Sequence, residues 1–291
     1  MSKALWQSGA TREAEALIRE LGITSLPVSP MEIARVLGIE IQPIPPQDQP
    51  GVSGMLLRHG NQFGILYSTS IDSDGYQNFS IGHEIGHYRL PGHPESVLQD
   101  GVHVSHAGFK SKNRFELEAD YFAAGLLMPT SLFDAALNRT TNGLDAVVDL
   151  SALCETSLTA TAIRFAQRSP DATAIIVSEG NKIDYCFMSD TLREHDGIEW
   201  IKKGTLLPQT SATKRLNGDA SKVEANERAD AASEIRDWFG GSLEAEVVEE
   251  AIGLGPYGKT LTVLSIEDLP DAEELEDEEE LEESWTPRFR R

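Results

Sequence analysis

The chain has 291 residues, 40% of them hydrophobic, and a formal net charge of −22. That length suits one to three compact domains with ordinary cores. No apolar run approaches the roughly 18 residues of a membrane span, and the acidity argues against broad coating of nucleic acid, which needs clustered Lys and Arg. The charge is concentrated, because Glu267–Glu283 holds twelve Asp or Glu and no Lys or Arg. The rest of the chain is therefore less acidic and leaves room for a local basic face. Cys154 and Cys186 give no disulfide framework, and the N-terminal segment lacks the apolar core of a secretion signal. A soluble, cytoplasmic protein without membrane contact is expected.

In chain order, Ala14, Leu17, Ile18 and Leu21 follow helical spacing up to Gly22. A second helix is predicted from Ser29-Pro30-Met31-Glu32, with Ser29 as cap, Pro30 at the first helical position and Glu32 completing a capping box. Ile39 and Ile41 alternate as in a strand, and Gln42–Pro50 is a Pro-rich link. Met55–Arg58 and Phe63–Tyr67 flank the turn residues His59-Gly60-Asn61. A helix capped by Ser73 or Asp74 runs to Leu90, residues 91–112 read as a loop, and a long helix spans about Asn113 to Met128. Two helices over Leu144–Gln167 meet near Glu155-Thr156-Ser157. Strands are expected at Ala172–Ser178, Ile183–Met188, Ala245–Ile252 and Lys259–Ile266, and Gln209–Asn226 reads as loop or partial disorder.

The chemistry lies in Ile81-Gly82-His83-Glu84-Ile85-Gly86-His87, which contains H-E-x-x-H. On a helix, His83 and His87 share one face and can both present a ring nitrogen to one zinc ion. Glu84, beside the first ligand, can take a proton from metal-bound water. The same five residues on a surface helix would be two solvated histidines, so a third ligand is needed. The predicted helix from about Asn113 to Met128 offers one. Glu116 and Asp120 lie on one side, so Glu116 can bind metal while Asp120 holds a ligand histidine in its tautomer. Glu118, about 200 degrees away, is the second choice.

HEIGH followed by E-x-E-A-D-x-F-A-A-x-L-L-M-P resembles the ImmA/IrrE family of bacterial metallopeptidases over roughly residues 10 to 168. The N-terminal helix pair, the Pro-rich link, the G-x-S-G-M hairpin at Gly51–Met55 and the ending Trp285–Arg291 are also similar. The resemblance implies one zinc per chain on His83, His87 and Glu116, with Glu84 as base. It implies a cytoplasmic endopeptidase that cuts a helix-turn-helix repressor and so derepresses stress, mobile-element or defence genes, in some relatives in response to DNA damage. The loop from Pro91 to Lys112 is a departure, since His93, His103 or His106 can approach the fourth metal position. Tyr88 and Tyr121 are candidates for oxyanion stabilisation by proximity only.

The expected fold is α+β: a zincin-like peptidase domain over 1–142, a helix-turn-helix-like pair over 143–169 and a C-terminal module over 170–266, with an acidic disordered tail over 267–291. In the helix pair, Leu150, Leu153, Ala162, Ile163 and Phe165 would form the core. Arg164 and Arg168 are thin for reading DNA, so packing or substrate docking is expected of it. The C-terminal module is similar to GAF-like sensors of some relatives, with Cys186 as a core residue. Lys182, Lys202, Lys203, Lys214 and Arg215 could face single-stranded DNA as an activating signal. Substrate is expected to add as a strand along Met55–Arg58. The competing reading is a regulator or antitoxin that contains zinc but acts by binding a repressor without cutting it.

Overall fold

The computed structural model describes residues 3–45, 51–106, 113–195, 197–241, 243–267 and 269. They form a mixed α/β architecture with two sheets, divided into two compact units, Met1–Thr140 with Val147–Thr161 and Thr141–Ala146 with Ala162–Arg291. Apart from residues 267 and 269, the expected acidic tail lies outside the described residues. No single helix among them is long and apolar enough to cross a membrane.

The first unit begins with α1 (Lys3–Glu20), whose Ala10, Ala14, Leu17 and Ile18 are buried at helical spacing. In α2 (Pro30–Val36), Ser29 Oγ accepts the amide of Glu32 at 3.3 Å, while the Glu32 carboxylate turns to Arg35. Then come β1 (Glu40–Ile44), β2 (Val52–His59), β3 (Gln62–Ser68), α3 (Asp74–Arg89), α4 (His93–Val97), β4 (Val102–His106), α5 (Arg114–Leu127) and α6 (Thr130–Leu137). Ser73 caps α3, and Asn113 caps α5. α7 (Gly143–Cys154) and α8 (Leu158–Arg168) follow, joined by three residues and bent by 115°; the start of α7 and the end of α8 belong to the second unit. Of the core expected for this pair, Leu150, Ala162 and Phe165 are buried and Ile163 half-buried, but Leu153 is exposed because it lies on the outer side of α7.

The sheet of this unit has the order β1-β3-β2-β4, with β1 parallel to β3 and the other pairs antiparallel. The β2–β3 hairpin turns at Gly60-Asn61, where Gly60 takes φ 62°. Two corrections follow for the segment before α5. Residues 91–112 are not all loop, since α4 and β4 form within them. β2 also has no free edge over Met55–Leu57, because β3 pairs with one side and β4 with the other.

α5 sits where both α1 and α3 can approach closely. A Cβ on Gly125 would come within 3.2 Å of Thr11 Cα in α1. One on Gly86 would come within 3.2 Å of Ala119 Cα and of the Phe122 ring in α5. Gly82 faces Ala123 in the same way at 3.4 Å. Small residues one helical turn apart thus let α3 and α5 pack nearly backbone to backbone.

The second unit contains β5 (Ala172–Glu179), β6 (Lys182–Met188), α9 (Asp190–Arg193), α10 (Ala212–Asn217), α11 (Ala220–Glu224), β7 (Arg228–Glu234), α12 (Ile235–Phe239), β8 (Glu246–Gly253) and β9 (Lys259–Ile266). Its antiparallel sheet has the order β6-β5-β9-β8-β7. One face packs Ala174, Ile176, Val247 and Leu264 against Trp238 and Phe239, and another cluster joins Leu216 and Val223 to Ala251. The expectation of a loop over Gln209–Asn226 is corrected. Ser211 and Asp219 cap two short helices that Thr213, Leu216 and Val223 anchor. Cys186 is half-buried against this core and not within it, and burial pushes its thiol up to about 12. Of the expected basic face, Lys203 is paired with Asp184, which also binds Lys259 at 2.5 Å. Arg215 donates to the Thr210 carbonyl at 2.7 Å.

Two neighbouring acids on β8 hold helix ends. Glu249, fully buried, accepts the amides of Ala212 at 3.0 Å and Thr213 at 2.7 Å and the Thr213 hydroxyl at 2.6 Å. Glu250 accepts the amide of Leu144 at 2.8 Å in the first turn of α7. Charge-assisted bonds of this kind contribute roughly 1.5–3 kcal/mol each. Glu249→Ala is therefore expected to lower the stability of this unit by about 3 kcal/mol, read as a lower urea midpoint, and Glu249→Gln by less.

Candidate metal centre

The α3–α5 contact brings the sequence-picked residues together. His83 Nε2 and His87 Nε2 are 3.0 Å apart. Glu116 Oε2 lies 3.5 Å from the first and Glu116 Oε1 3.5 Å from the second. A fourth donor comes from β4, where His103 Nε2 lies 3.2 Å from Glu116 Oε1. One donor atom from each of the four residues falls within 4.8 Å of every other. Zinc bonds of 2.0–2.1 Å in a tetrahedron put neighbouring donors about 3.3 Å apart, so the four printed separations match the edges of such a site. The donor chemistry fits as well, with three imidazoles and one carboxylate converging in a nearly dry place.

The supporting contacts fix tautomers. His83 Nδ1 lies 2.9 Å from Asp120 Oδ1, so the ring donates there and leaves the Nε2 lone pair free for a cation. Behind His87 runs a longer chain. His87 Nδ1 is 3.2 Å from His93 Nδ1, His93 Nε2 is 3.1 Å from Glu118 Oε2, and Arg114 Nε donates to Glu118 Oε1 at 3.0 Å. Because Glu118 accepts, His93 donates through Nε2 and accepts through Nδ1, which makes His87 donate from Nδ1. The His87 Nε2 lone pair then faces the cluster. Glu118, the second choice for ligand, is occupied with His93 instead.

Electrostatics without a cation show how much negative charge the site must balance. Burial raises Glu84 above the usual carboxylate range, against the opposing influence of His83, Ser105 and His103. Burial likewise raises Asp120 despite its bond to His83. Burial would raise Glu116 too, but its contacts with His103 and His83 outweigh it and hold that carboxyl well below its ordinary value. Burial would lower His83, yet Asp120, Glu116 and Glu84 lift it to about 10. Burial, then the neighbouring His83 and His103, keeps His87 neutral.

Glu84 is fully buried, and neither of its oxygens makes a well-formed hydrogen bond with the protein. Its carboxylate lies against β2, where a Cβ on Gly54 would come within 2.8 Å of Oε1. The other sequence candidates fall elsewhere. Tyr88 packs edge-on against Phe63 at 4.9 Å between ring centres, and both it and Tyr121 pack on the apolar core of this unit. His106 pairs with Val52 at the far end of β4 and is outside the four-residue group. Sequence reasoning missed the role of His93, although a signal existed. It stands six residues after His87, the spacing at which H-E-x-x-H-x-x-G-x-x-H places a further histidine. Here Leu90 replaces the glycine, and the chain turns at Gly92 (φ 80°) to bring His93 to the back of His87.

The peptidase family model M78, described as IrrE N-terminal-like domain, matches residues 34–166. That stretch is thus similar to an IrrE N-terminal-like domain. A solved structure of a Mycobacterium tuberculosis transcriptional regulator shares the fold, with TM-score 0.55 and 13% identity over 88% of this chain and 76% of that one. No curated protein matches the sequence. The chain therefore carries a peptidase-like domain with a candidate metal centre in a fold shared with a transcriptional regulator.

Outer partners of a ligand histidine are typically worth 10–100-fold in metal affinity. His93→Ala is expected to weaken zinc binding by about that factor with an unchanged circular dichroism spectrum, as read by titration against a coloured chelator.

Proposed function

We propose that this chain is a zinc-dependent endopeptidase whose substrate is a partner helix-turn-helix repressor, with His83, His87 and Glu116 as ligands and Glu84 as base. The observation that carries the reading is the convergence of His83 Nε2, His87 Nε2 and Glu116 at tetrahedral spacing, with Glu84 next in sequence to a ligand. A purely structural site has no use for that extra buried carboxylate. Bound zinc would polarise the scissile carbonyl and bring the pKa of water to about 7. Glu84 then takes the proton of the attacking water and delivers it to the leaving amine. Asp120 and His93 hold the two ligand rings in the tautomers this requires.

The α7–α8 pair, with a three-residue turn and a 115° bend, has the outline of a helix-turn-helix, and we assign it to substrate docking. The strand-rich part after residue 170 is assigned a sensor role, and single-stranded DNA is the first signal to test. The pairing of Lys203 and Lys259 with Asp184 reduces the basic surface available for it.

A binding-only regulator gains support from one observation, the fourth protein donor His103, since sites closed by four protein ligands are characteristic of structural zinc. Co-expression with the helix-turn-helix protein encoded nearest to this chain, followed by mass spectrometry of fragments, separates the two readings. Cleavage is expected with the native chain. Glu84→Gln is expected to keep one zinc per chain and to lose cleavage by about 10²-fold or more. Intact repressor in both samples would favour sequestration. Gly54→Ala is expected to slow cleavage with zinc retained, because the added methyl would come within 2.8 Å of Glu84 Oε1 and displace that carboxylate.

A further inference from the structure

β4 is the edge strand of the first sheet and lies antiparallel to β2, with Leu56 opposite His103 and Gly54 opposite Ser105. Paired residues share a face of the sheet. Leu56 belongs to the core that packs against α3, through Ile81 and Ile85, so His103 and Ser105 also face α3. Val104, one residue out of phase, packs on the opposite face with Ile44, Val52 and Met55. The alternation in Val102-His103-Val104-Ser105-His106 therefore aims one imidazole and one hydroxyl at the HEIGH residues.

His103 Nε2 is buried and makes no well-formed hydrogen bond, although it lies 3.2 Å from Glu116 Oε1. Its ring centre is 4.3 Å from that of His87. Glu84 is fully buried, with Ser105 beside it. A general base must meet water or substrate, and a hydrolytic zinc site keeps one coordination position open. In this arrangement neither condition is met. β4 also lies along the edge of β2 on which an extended substrate would be expected to add.

We propose that His103 is a fourth protein ligand that closes the metal site, and that β4 is the resident occupant of the substrate position beside β2. The inference rests on the metallopeptidase reading above and names how that site is restrained. Withdrawal of β4 would free one coordination position, expose Glu84 and open the β2 edge in a single movement. A substrate segment able to pair with β2 would be the displacing species.

The test uses the full chain loaded with Co²⁺ or Zn²⁺, and compares the native protein with His103→Ala and His103→Gln. Affinity is read by chelator competition, and coordination by the visible spectrum of the cobalt form with and without azide. The native cobalt protein is expected to show an intense four-ligand spectrum that azide leaves unchanged. Both variants are expected to bind metal about tenfold more weakly or worse and to change spectrum on adding azide. His103→Gln keeps a side chain of similar reach on the strand. Melting curves of the metal-free proteins show whether each variant has folded, and the readings are taken on a variant that has. Native protein that already responds to azide, or variants with native affinity and spectrum, would overturn the proposal. So would variants that bind metal normally but cleave more slowly, which would make His103 a donor to substrate. Native protein that takes up neither metal would instead overturn the peptidase reading itself.

Discussion

The close approach of α3 and α5 is the constraint on which the centre depends. Two histidines come from one helix and the carboxylates from the other, and their side chains are too short to meet across an ordinary helix pair of 8–10 Å separation carrying large residues. Gly82 and Gly86 remove side chains from α3 where Ala119, Phe122 and Ala123 of α5 arrive. The two variable positions within HEIGH thus differ in kind. Ile85 fills the core, whereas Gly86 is a gap that α5 enters. The same helix meets α1 through Gly125, so α5 is fixed from two sides before any metal is present.

Placing Glu84, Glu116 and Asp120 beside three imidazoles in a site with little access to water is costly by itself. The charge of His83 compensates only in part, as the raised Glu84 and Asp120 show. A dication resolves the imbalance at its centre. Ligand binding to the folded state alone adds stability by mass action, about 4 kcal/mol at a thousand times the dissociation constant, so metal supply and folding of this unit are coupled. Because ligand histidines must be neutral, the raised His83 makes metal binding at this centre release protons.

How much of this was legible in the sequence depended on the range of the interactions. His83, Glu84, His87, Glu116 and Asp120 stood out because helical spacing is a local property, and the Ser73 and Asn113 caps mark where those helices start. β4 was not legible. Five residues with glycine before them carry a period-2 pattern too short to distinguish from loop, and their strand character comes from pairing with β2 more than forty residues earlier. His103 was therefore only one of three loop histidines. His93 was hidden for a related reason, since its partner nitrogen is set by the turn at Gly92 and not by spacing alone. α10 and α11 were lost in a polar stretch because their stability comes from Glu249 and a few buried contacts, not from any amphipathic run.

The adjacent pair Glu249-Glu250 has a consequence for the evolution of the second unit. Successive residues of a strand point to opposite faces, so one dipeptide secures α10 on one side of β8 and the start of α7 on the other. Deleting or inserting a single residue upstream in that strand would exchange the two carboxylates and leave both helix ends facing the wrong chain atoms. β8 is thereby a length standard, tolerant of changes in side-chain size at its exposed positions but closed to insertions and deletions. Length variation among relatives should accumulate in the turns that flank it.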